Sequence, residues 1–286
     1  MALRTFVKFT AVGRLMMIPP RWVLFALLPA LRQFAKSTRW IFTSKEYYNL
    51  TYHLTDLNKA YLASYIAVVT GHEVEKIEGY IRELENDTAL RSILIERTHQ
   101  SRDRHSCDVE PRYGRRIGWY ALVRATKPRV VVETGVDRGL GTAVMAAALI
   151  QNQKEGFPGK LYATDIMPDC GHLMVAPYKD HCEILLGDSV ELLKKFNQPV
   201  DIFIHDSDHT PAYEWAEFKA IEPHLHTDSL VMSDNSAQTT KLREFATQRA
   251  HSFLFFQDQP KDHWWGGDGI GTVFTPGKKT AYQSNK

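Results

Sequence analysis

The sequence predicts an α/β fold: a Rossmann-like, doubly wound sheet of seven strands with a reversed last strand, preceded by a helical N-terminal region. Two observations predict this fold. From Lys127 onward, apolar β-rich runs alternate with helical stretches, which is typical of a parallel sheet with helices on both faces. The chain then closes with two strand-like runs, Ser252–Gln257 and Ile270–Phe274, joined by a Gly-rich loop without a helix. So short a connection requires an antiparallel pair.

The bulk composition fits one large globular domain or two modest ones. The chain has 286 residues, of which 44% are hydrophobic and 24% charged, enough for a full core. The net charge of +2 conceals a basic leader on a mildly acidic body, and the body gives no signal for nucleic-acid binding. Cys107, Cys170 and Cys182 lack metal-binding spacing and indicate free thiols, so we expect a cytoplasmic protein.

Residues 1–45 form the basic, partly apolar leader, with eight Lys/Arg and no Asp/Glu. Its longest apolar run, Trp22–Leu31, has ten residues and is too short to span a bilayer. Pro19, Pro20 and Pro29 argue against one long helix. Two interpretations stay open: an interfacial segment that makes peripheral membrane contact, and a docking or disordered extension. A signal peptide or a transit peptide has a similar composition, although no convincing cleavage site follows.

Residues 46–125 predict a helical cap region, and residues 126–286 hold the predicted sheet. The cap shows apolar residues at helical spacing, for example Val74, Ile77, Ile81 and Leu84. The strands and helices of the sheet domain are predicted, in order, at 129–133, 140–152, 160–164, 183–186, 189–196, 201–205, 211–222, 229–233 and 239–250, followed by the closing strand pair.

Polar residues stand at the ends of two of these strands. Asp206 and Asp234 lie 28 residues apart, which leaves room for one helix and two loops, so their strands can be neighbours in a parallel sheet. Asp206, Asp234 and Asn235 would then converge as three oxygen ligands, a set that suits a hard divalent cation such as Mg²⁺, with Mn²⁺ or Ca²⁺ as alternatives. His209 is close enough to act as a base beside that metal. Each residue alone also has an ordinary explanation as a cap, a turn or a solvated loop residue.

A second group of candidate residues stands at the ends of the first three strands. Glu133, Thr134, Gly135 and Gly139 belong to a strand, a tight turn and a helix start, where glycines expose backbone amides to a ligand. Position 137 is Asp, so the turn is not the dinucleotide-binding glycine motif. Two further acids end the second and third strands: Asp165, placed for ribose hydroxyls, and Asp188, followed by Ser189, placed for an adenine amino group. Either acid alone could be a helix N-cap.

These motifs together resemble a class I S-adenosylmethionine-dependent methyltransferase. The resemblance covers about residues 112–276 and rests on Glu133-x-Gly135-x-x-x-Gly139, on Asp165 and Asp188, and on the reversed seventh strand. Asp206 with Asp234-Asn235 is similar to the metal triad of catechol O-methyltransferase-like enzymes. The Asp-x-x-His spacing of Asp206 and His209 looks more like the macrocin O-methyltransferase and cephalosporin-hydroxylase-like branch, in which such a His is the proposed base.

The resemblance implies a divalent-metal-assisted O-methyltransferase that uses S-adenosylmethionine and acts on a small hydroxylated acceptor, such as a sugar, a polyketide or another natural-product-like molecule. Mg²⁺ is the implied metal. Two alternatives stay open: a hydroxylase-associated or N-methylating relative on the same scaffold, and a catalytically silent, membrane-docked partner protein. A homo-oligomer is compatible with either reading, and no nucleic-acid partner is expected.

The acceptor site is the least determined part of the prediction. The loop after the sixth strand carries Asp262, His263, Trp264 and Trp265, and its adjacent aromatics could stack on a ring or a sugar. The alternative is an aromatic pair that packs against the helical region. Arg112–Arg116, on a predicted helix that ends near Thr126, could touch an anionic group, although a solvated basic helix face is more common.

Overall fold

The computed structural model describes residues 2–47 and 50–276, which fall into two compact units. One unit holds the leader, up to Lys45, together with the short segment Asp262–Trp265. The other unit holds Glu46–Lys261 and the described residues from Gly266 onward, and it contains the whole sheet.

The sheet has seven strands in the order β3-β2-β1-β4-β5-β7-β6. Strands β1 to β5 are mutually parallel, and β7 pairs antiparallel with both β5 and β6, so the predicted fold class, including the reversed last strand, is confirmed. The strands are β1 (Val130–Thr134), β2 (Lys160–Asp165), β3 (Cys182–Leu186), β4 (Val200–His205), β5 (Leu225–Asp234), β6 (Ser252–Phe256) and β7 (Ile270–Phe274).

Helices cover the sheet and form the region before it. In the sheet unit they are α5 (Asp56–Thr70), α6 (Val74–Glu85), α7 (Thr88–Gln100), α8 (Arg116–Thr126), α9 (Leu140–Lys154), α10 (Ser189–Lys194), α11 (Pro211–Ile221) and α12 (Lys241–Gln248). Short 3₁₀ turns lie at Arg102–His105, Tyr178–His181 and Glu222–His224. Phe203 of β4, Phe218 of α11 and Phe245 of α12 are fully buried in a core between sheet and helices. This core holds the carboxyl ends of the strands in fixed positions.

Strand β5 begins at Leu225, four residues earlier than the predicted Ser229. Three of these four early residues are polar and they lack strand periodicity, which is why the sequence pattern does not indicate a strand there. The Ser229 side chain takes the place of backbone hydrogen bonds between β4 and β5 here. Its hydroxyl donates to the carbonyl of Val200 (2.6 Å) and accepts from the amide of His226 (2.8 Å). The register with β4 shifts at this point.

The leader is helical from Ala11 to Thr43, which corrects the expectation that its prolines prevent one long helix. The described helical segments are α1 (Ala2–Phe9), α2 (Ala11–Met16), α3 (Ile18–Trp22), a π-helical turn (Val23–Leu27) and α4 (Leu28–Thr43). Pro19, Pro20 and Pro29 occupy the first turns of α3 and α4, where the missing amide costs no hydrogen bond.

The Ala11–Thr43 stretch, 33 residues long, is long and apolar enough to cross a bilayer by length and composition, whereas its longest run without a charge is the ten-residue Trp22–Leu31. The same test is met by signal sequences near an N-terminus, so it is weak evidence for a span.

Candidate functional site

The candidate site lies at the carboxyl edge of the parallel strands, where the loops after β1 and β4 touch through their backbones. The amide of Asp206 donates to the carbonyl of Thr134 (3.0 Å). A Cβ added to Gly135, which has a φ of 86°, would lie 2.0 Å from the carbonyl oxygen of Asp206. Gly135 is therefore required by this close approach as well as by its positive φ. The contact joins the predicted cofactor loop to the predicted catalytic loop.

The predicted catalytic residues come together at this edge. One donor atom from each of Asp206, His209 and Asp234 lies within 4.8 Å of the other two. His209 Nε2 is 3.6 Å from Asp206 Oδ1, and its ring contacts the His205 ring edge-to-face at 5.2 Å. Asn235, in a left-handed conformation with a φ of 51°, follows Asp234 directly. The four side chains that the sequence singled out after β4 and β5 thus form one cluster.

Arg115, at the N-cap of α8, inserts its guanidinium into this cluster. It donates to both carboxylate oxygens of Asp234 and, through Nη2, to Asn235 Oδ1 (2.5 Å). Behind the guanidinium, Nη1 donates to the Tyr52 hydroxyl (2.8 Å) and lies 3.5 Å from Asp258, which accepts from Tyr52. Arg115 is 8% exposed, Asp234 2% and Asp258 0%. The guanidinium is therefore held by buried partners on two sides.

The neighbouring Arg116 approaches the other carboxylate, with Nη2 at 3.8 Å from Asp206 Oδ2. For Arg112–Arg116 the sequence left both an anionic contact and a solvated helix face open; Arg115 is buried and Arg116 half-buried. Two cations thus face Asp206 and Asp234 from the start of α8.

The pKa values of the two carboxyls diverge. Burial and the Asp234 carboxylate raise the pKa of Asp206 well above its usual range. Burial would also raise the pKa of Asp234, but the Arg115 guanidinium holds it below its usual range. Burial lowers the pKa of His209, which keeps its imidazole neutral and able to accept a proton near pH 7.

Divalent-cation binding by the predicted oxygen triad stays a prediction. Metal ligands must be deprotonated, and here the oxygens of Asp234 and Asn235 accept hydrogen bonds from the Arg115 guanidinium. The spacing of Asp206, His209 and Asp234 would suit a metal, but two predicted ligands already have a cationic partner. We therefore assign no chemical step to a metal ion.

The predicted cofactor residues line the ends of β1 and β2. Glu133 is buried, accepts from Thr142 Oγ1 (2.7 Å), and has a pKa raised to about 8 by burial. Asp165 accepts from the amides of Val136 (3.0 Å), Asp137 (2.8 Å) and Met167 (2.8 Å). Asp165 therefore braces the loop after β1, a role that the sequence did not suggest, and keeps spare acceptor capacity for ribose hydroxyls.

Gly139 is the left-handed N-cap of α9, and a Cβ there would lie 3.0 Å from Met174 and 3.2 Å from the Gly171 Cα. The glycine at this position is thus required by packing and by its φ of 95°.

At the end of β3, Asp188 is the N-cap of α10, which was the alternative explanation for this acid. It accepts from the amide of Glu191 (3.0 Å) and from the Tyr213 hydroxyl (3.0 Å). Ser189 is buried and donates to Glu217. The adenine-contact role of Asp188 stays a prediction.

Glu217 of α11 is a fully buried acceptor that sequence reasoning missed. Its carboxylate accepts from Thr134 (2.7 Å), from Ser207 (2.6 Å) and from Ser189, and it pairs with His205 Nδ1 (2.5 Å). This one carboxylate therefore connects the loops after β1, β3 and β4. In the sequence, Glu217 is only a charged residue on a predicted helix, and such a residue is usually solvated.

The same edge exposes large apolar side chains beside Asp165. Ile166 and Met167 follow it directly, and Leu186 is its register partner on β3. Exposed apolar groups beside a carboxylate with spare acceptor sites fit a ligand that is partly an aromatic base and partly a sugar. The residues present therefore fit an adenosine-bearing cofactor.

The predicted acceptor residues, Asp262 to Trp265, belong to the leader unit. Trp40 contacts Trp264 edge-to-face at 5.4 Å and His263 at 6.0 Å, and Gln33 Nε2 donates to the Trp264 carbonyl (2.6 Å). The Trp265 amide donates to His263 Nδ1 (2.9 Å). Asp262 begins this segment. His263 and Trp264 thus pack against α4 of the leader, and their substrate role stays a prediction.

Comparison with known proteins agrees with the prediction of a methyltransferase. Residues 132–236 match a family model described as a methyltransferase domain. This match agrees with the prediction of a methyltransferase for residues 132–236. No curated protein matches the sequence.

Solved structures with similar folds include three bacterial methyltransferases. They are an O-methyltransferase from Bacillus cereus in complex with SAH (20% identity, 66% of this chain and 92% of that chain, TM-score 0.48), the O-methyltransferase TomG from Streptomyces achromogenes, involved in tomaymycin synthesis and in complex with SAM (17%, 67% and 91%, 0.47), and a methyltransferase from Geobacter sulfurreducens (17%, 64% and 90%, 0.48).

Proposed function

We propose that this methyltransferase domain transfers a methyl group from S-adenosylmethionine to a hydroxyl oxygen of a small acceptor, a sugar-like or polyketide-like molecule. The observation that carries the proposal is the backbone contact between Gly135 and Asp206. It brings the edge that fits an adenosine-bearing donor next to the loop that carries a neutral, half-buried His209. Donor and acceptor can then be held in line, which is what a displacement at carbon needs.

The bound donor supplies a methyl group on a sulfonium sulfur. The chain's own residues supply position and proton acceptance. Asp165 fixes the loop after β1. Ile166, Met167 and Leu186 offer an apolar surface for the adenine ring of the donor. His209 takes the hydroxyl proton at an imidazole nitrogen as the oxygen attacks and the carbon–sulfur bond breaks. Glu217 accepts hydrogen bonds from Thr134 and Ser207 and so holds the loops after β1 and β4 in place.

In this proposal Arg115, rather than a divalent metal, is the cation that faces Asp234 and Asn235. Its contacts to both residues support the assignment. Metal assistance is the second candidate, and the spacing of the Asp206, His209 and Asp234 donor atoms favours it. Both candidates share the donor, the acceptor class and the methylated product, so chelation separates them.

The proposal is tested by incubating the purified full chain with methyl-labelled donor and a panel of hydroxylated acceptors. Label should pass to oxygen of at least one acceptor, and excess EDTA should leave the rate unchanged. His209→Ala should lower turnover by about 10²–10⁴-fold while donor binding stays near that of the wild type. Transfer to nitrogen would refute the O-methyl assignment, and complete loss of activity in EDTA would favour the metal-assisted candidate.

A further inference from the structure

Helix α4 of the leader presents three different stripes along its length. The first is apolar and exposed, and consists of Leu28, Leu31, Phe34, Ala35, Ile41 and Phe42. The second is basic and exposed, with Arg32, Lys36 and Arg39 spaced four and three residues apart. At 100° per residue, the centres of these two stripes are about 105° apart, so the basic side chains flank the apolar ones.

The third stripe carries Gln33 and Trp40, seven residues apart, and is covered by the chain itself. Gln33 donates to the Trp264 carbonyl, and the Trp40 ring packs against the rings of His263 and Trp264. The short segment therefore occupies the side of α4 that points away from the apolar stripe. Among the described residues of the leader unit, no contact of this kind covers the apolar stripe, where Phe34 is 70% and Phe42 82% exposed.

The charge of the leader restricts what can cover that stripe. Residues 1–45 contain eight Lys/Arg and no acidic side chain. An apolar stripe flanked by cations, without a single acid, is the pattern of helices that lie in the interface of a membrane with anionic lipids. A soluble protein partner would not need so uniform a charge.

We propose that α4 docks flat on the surface of an anionic phospholipid bilayer. Leu31, Phe34 and Phe42 enter the boundary between headgroups and acyl chains, while Arg32, Lys36 and Arg39 reach lipid phosphates with their long side chains. The covered stripe faces away from the lipid and keeps its contacts with the segment at Trp264. The occupant of the apolar stripe is thus the bilayer itself, and the methyltransferase domain is a peripheral membrane protein.

Docking in the plane of the surface fits the leader better than crossing the membrane. The longest stretch without a charge is Trp22–Leu31, ten residues or about 15 Å of helix, against a hydrocarbon core of about 30 Å. Any longer window through this region includes Arg21 or Arg32. A guanidinium near the bilayer centre is costly, whereas at the surface both arginines can reach phosphate.

The test is co-sedimentation of the full chain with phosphatidylcholine vesicles, with and without phosphatidylglycerol. We expect binding to the anionic vesicles that weakens with added salt. Each basic residue near an anionic surface contributes roughly fivefold in affinity, so the triple variant Arg32→Gln, Lys36→Gln, Arg39→Gln should bind on the order of 100-fold more weakly. The matched control Lys154→Gln, Lys194→Gln, Lys195→Gln removes the same charge from the exposed surface of the sheet unit and should bind like the wild type.

A second triple variant, Leu31→Gln, Phe34→Gln, Phe42→Gln, keeps every charge and should also lose binding, with circular dichroism to verify that it folds. Several results would overturn the proposal: no sedimentation with anionic vesicles, equal binding to both vesicle types, or equal loss in the control variant. Resistance of the bound protein to alkaline carbonate would also overturn it, since that result indicates a spanning helix. Because sedimentation does not depend on turnover, the test is separate from the proposed methyl transfer.

Discussion

The Arg115→Ala substitution is the most informative perturbation of the candidate site. It leaves Asp234 and Asp258, which are 2% and 0% exposed, without their guanidinium, and it removes the donor to Asn235. Breaking a buried ion pair from one side costs about 3–5 kcal/mol, since the remaining charge is left in a medium of low polarity. Because two buried carboxylates lose one shared partner, we expect the upper part of this range. Urea unfolding followed by tryptophan fluorescence measures it.

A matched control comes from the surface ion pair of Arg91 and Glu110. Its two hydrogen bonds, both 2.8 Å, have the same bidentate form, but the side chains are 51% and 38% exposed. Arg91→Ala should therefore cost less than about 1 kcal/mol. If Arg115→Ala costs no more than this control, the guanidinium is not the buried counter-charge of the site, and the reasoning fails.

The pH dependence gives the sign of the same effect. Asp234 has a depressed pKa in the folded wild type, so its stabilising contribution is present above the unfolded pKa of about 3.9 and is lost as pH falls through the folded pKa. In Arg115→Ala, burial without the guanidinium raises the pKa of Asp234. The destabilisation of the variant should accordingly be largest near pH 7 and shrink as pH falls and the carboxyl becomes protonated. A gap that grows on acidification would contradict this account.

Three further predictions concern the donor edge and the base. Gly135→Ala should lower the free energy of unfolding well beyond the roughly 1 kcal/mol expected for Gly156→Ala, because both glycines have positive φ but only Gly135 would collide with the backbone of Asp206; equal losses in urea would sink this prediction. Asp165→Asn replaces one carboxylate oxygen with an NH2 group that cannot accept, so at least one of the three amides loses its acceptor; donor binding should weaken about tenfold or more in calorimetry, and unchanged affinity would count against the bracing role. Since burial lowers the pKa of His209, the acidic limb of the turnover profile should lie below about pH 6.5, and a limb above pH 7 would exclude His209 as the base.

The sequence was sufficient for the succession of strands and helices along the chain because apolar runs and helical stretches alternate cleanly after Lys127. The closing pair β6 and β7 followed from the absence of a helix between them, and β7 begins and ends at the predicted residues. Strand β5 was predicted too short because Leu225 is followed by three polar residues, His226, Thr227 and Asp228. The leader was predicted without a long helix because the prolines were taken as breakers, whereas each lies in a first turn.

The candidate site was predictable only where polar residues directly follow a strand. Asp206, His209, Asp234 and Asn235 meet because parallel strands end at one edge. Arg115 lies 119 residues before Asp234, and nothing local in the sequence indicates that the two pair. Glu217 was missed for a similar reason, since a glutamate on a helix reads as solvated until its four partners are known. Long-range pairing of charges is thus the part that patterns along the chain do not reveal.

The central claim is that the edge formed by β1, β2 and β3 holds a methyl donor. Isothermal titration of the full chain with S-adenosylmethionine, its demethylated product and NAD tests it most directly. The account predicts saturable heat with one site for the first two ligands and none for NAD, because the turn after β1 carries Asp137 where a dinucleotide-binding turn needs glycine. Tight NAD binding with no heat from S-adenosylmethionine would contradict the account.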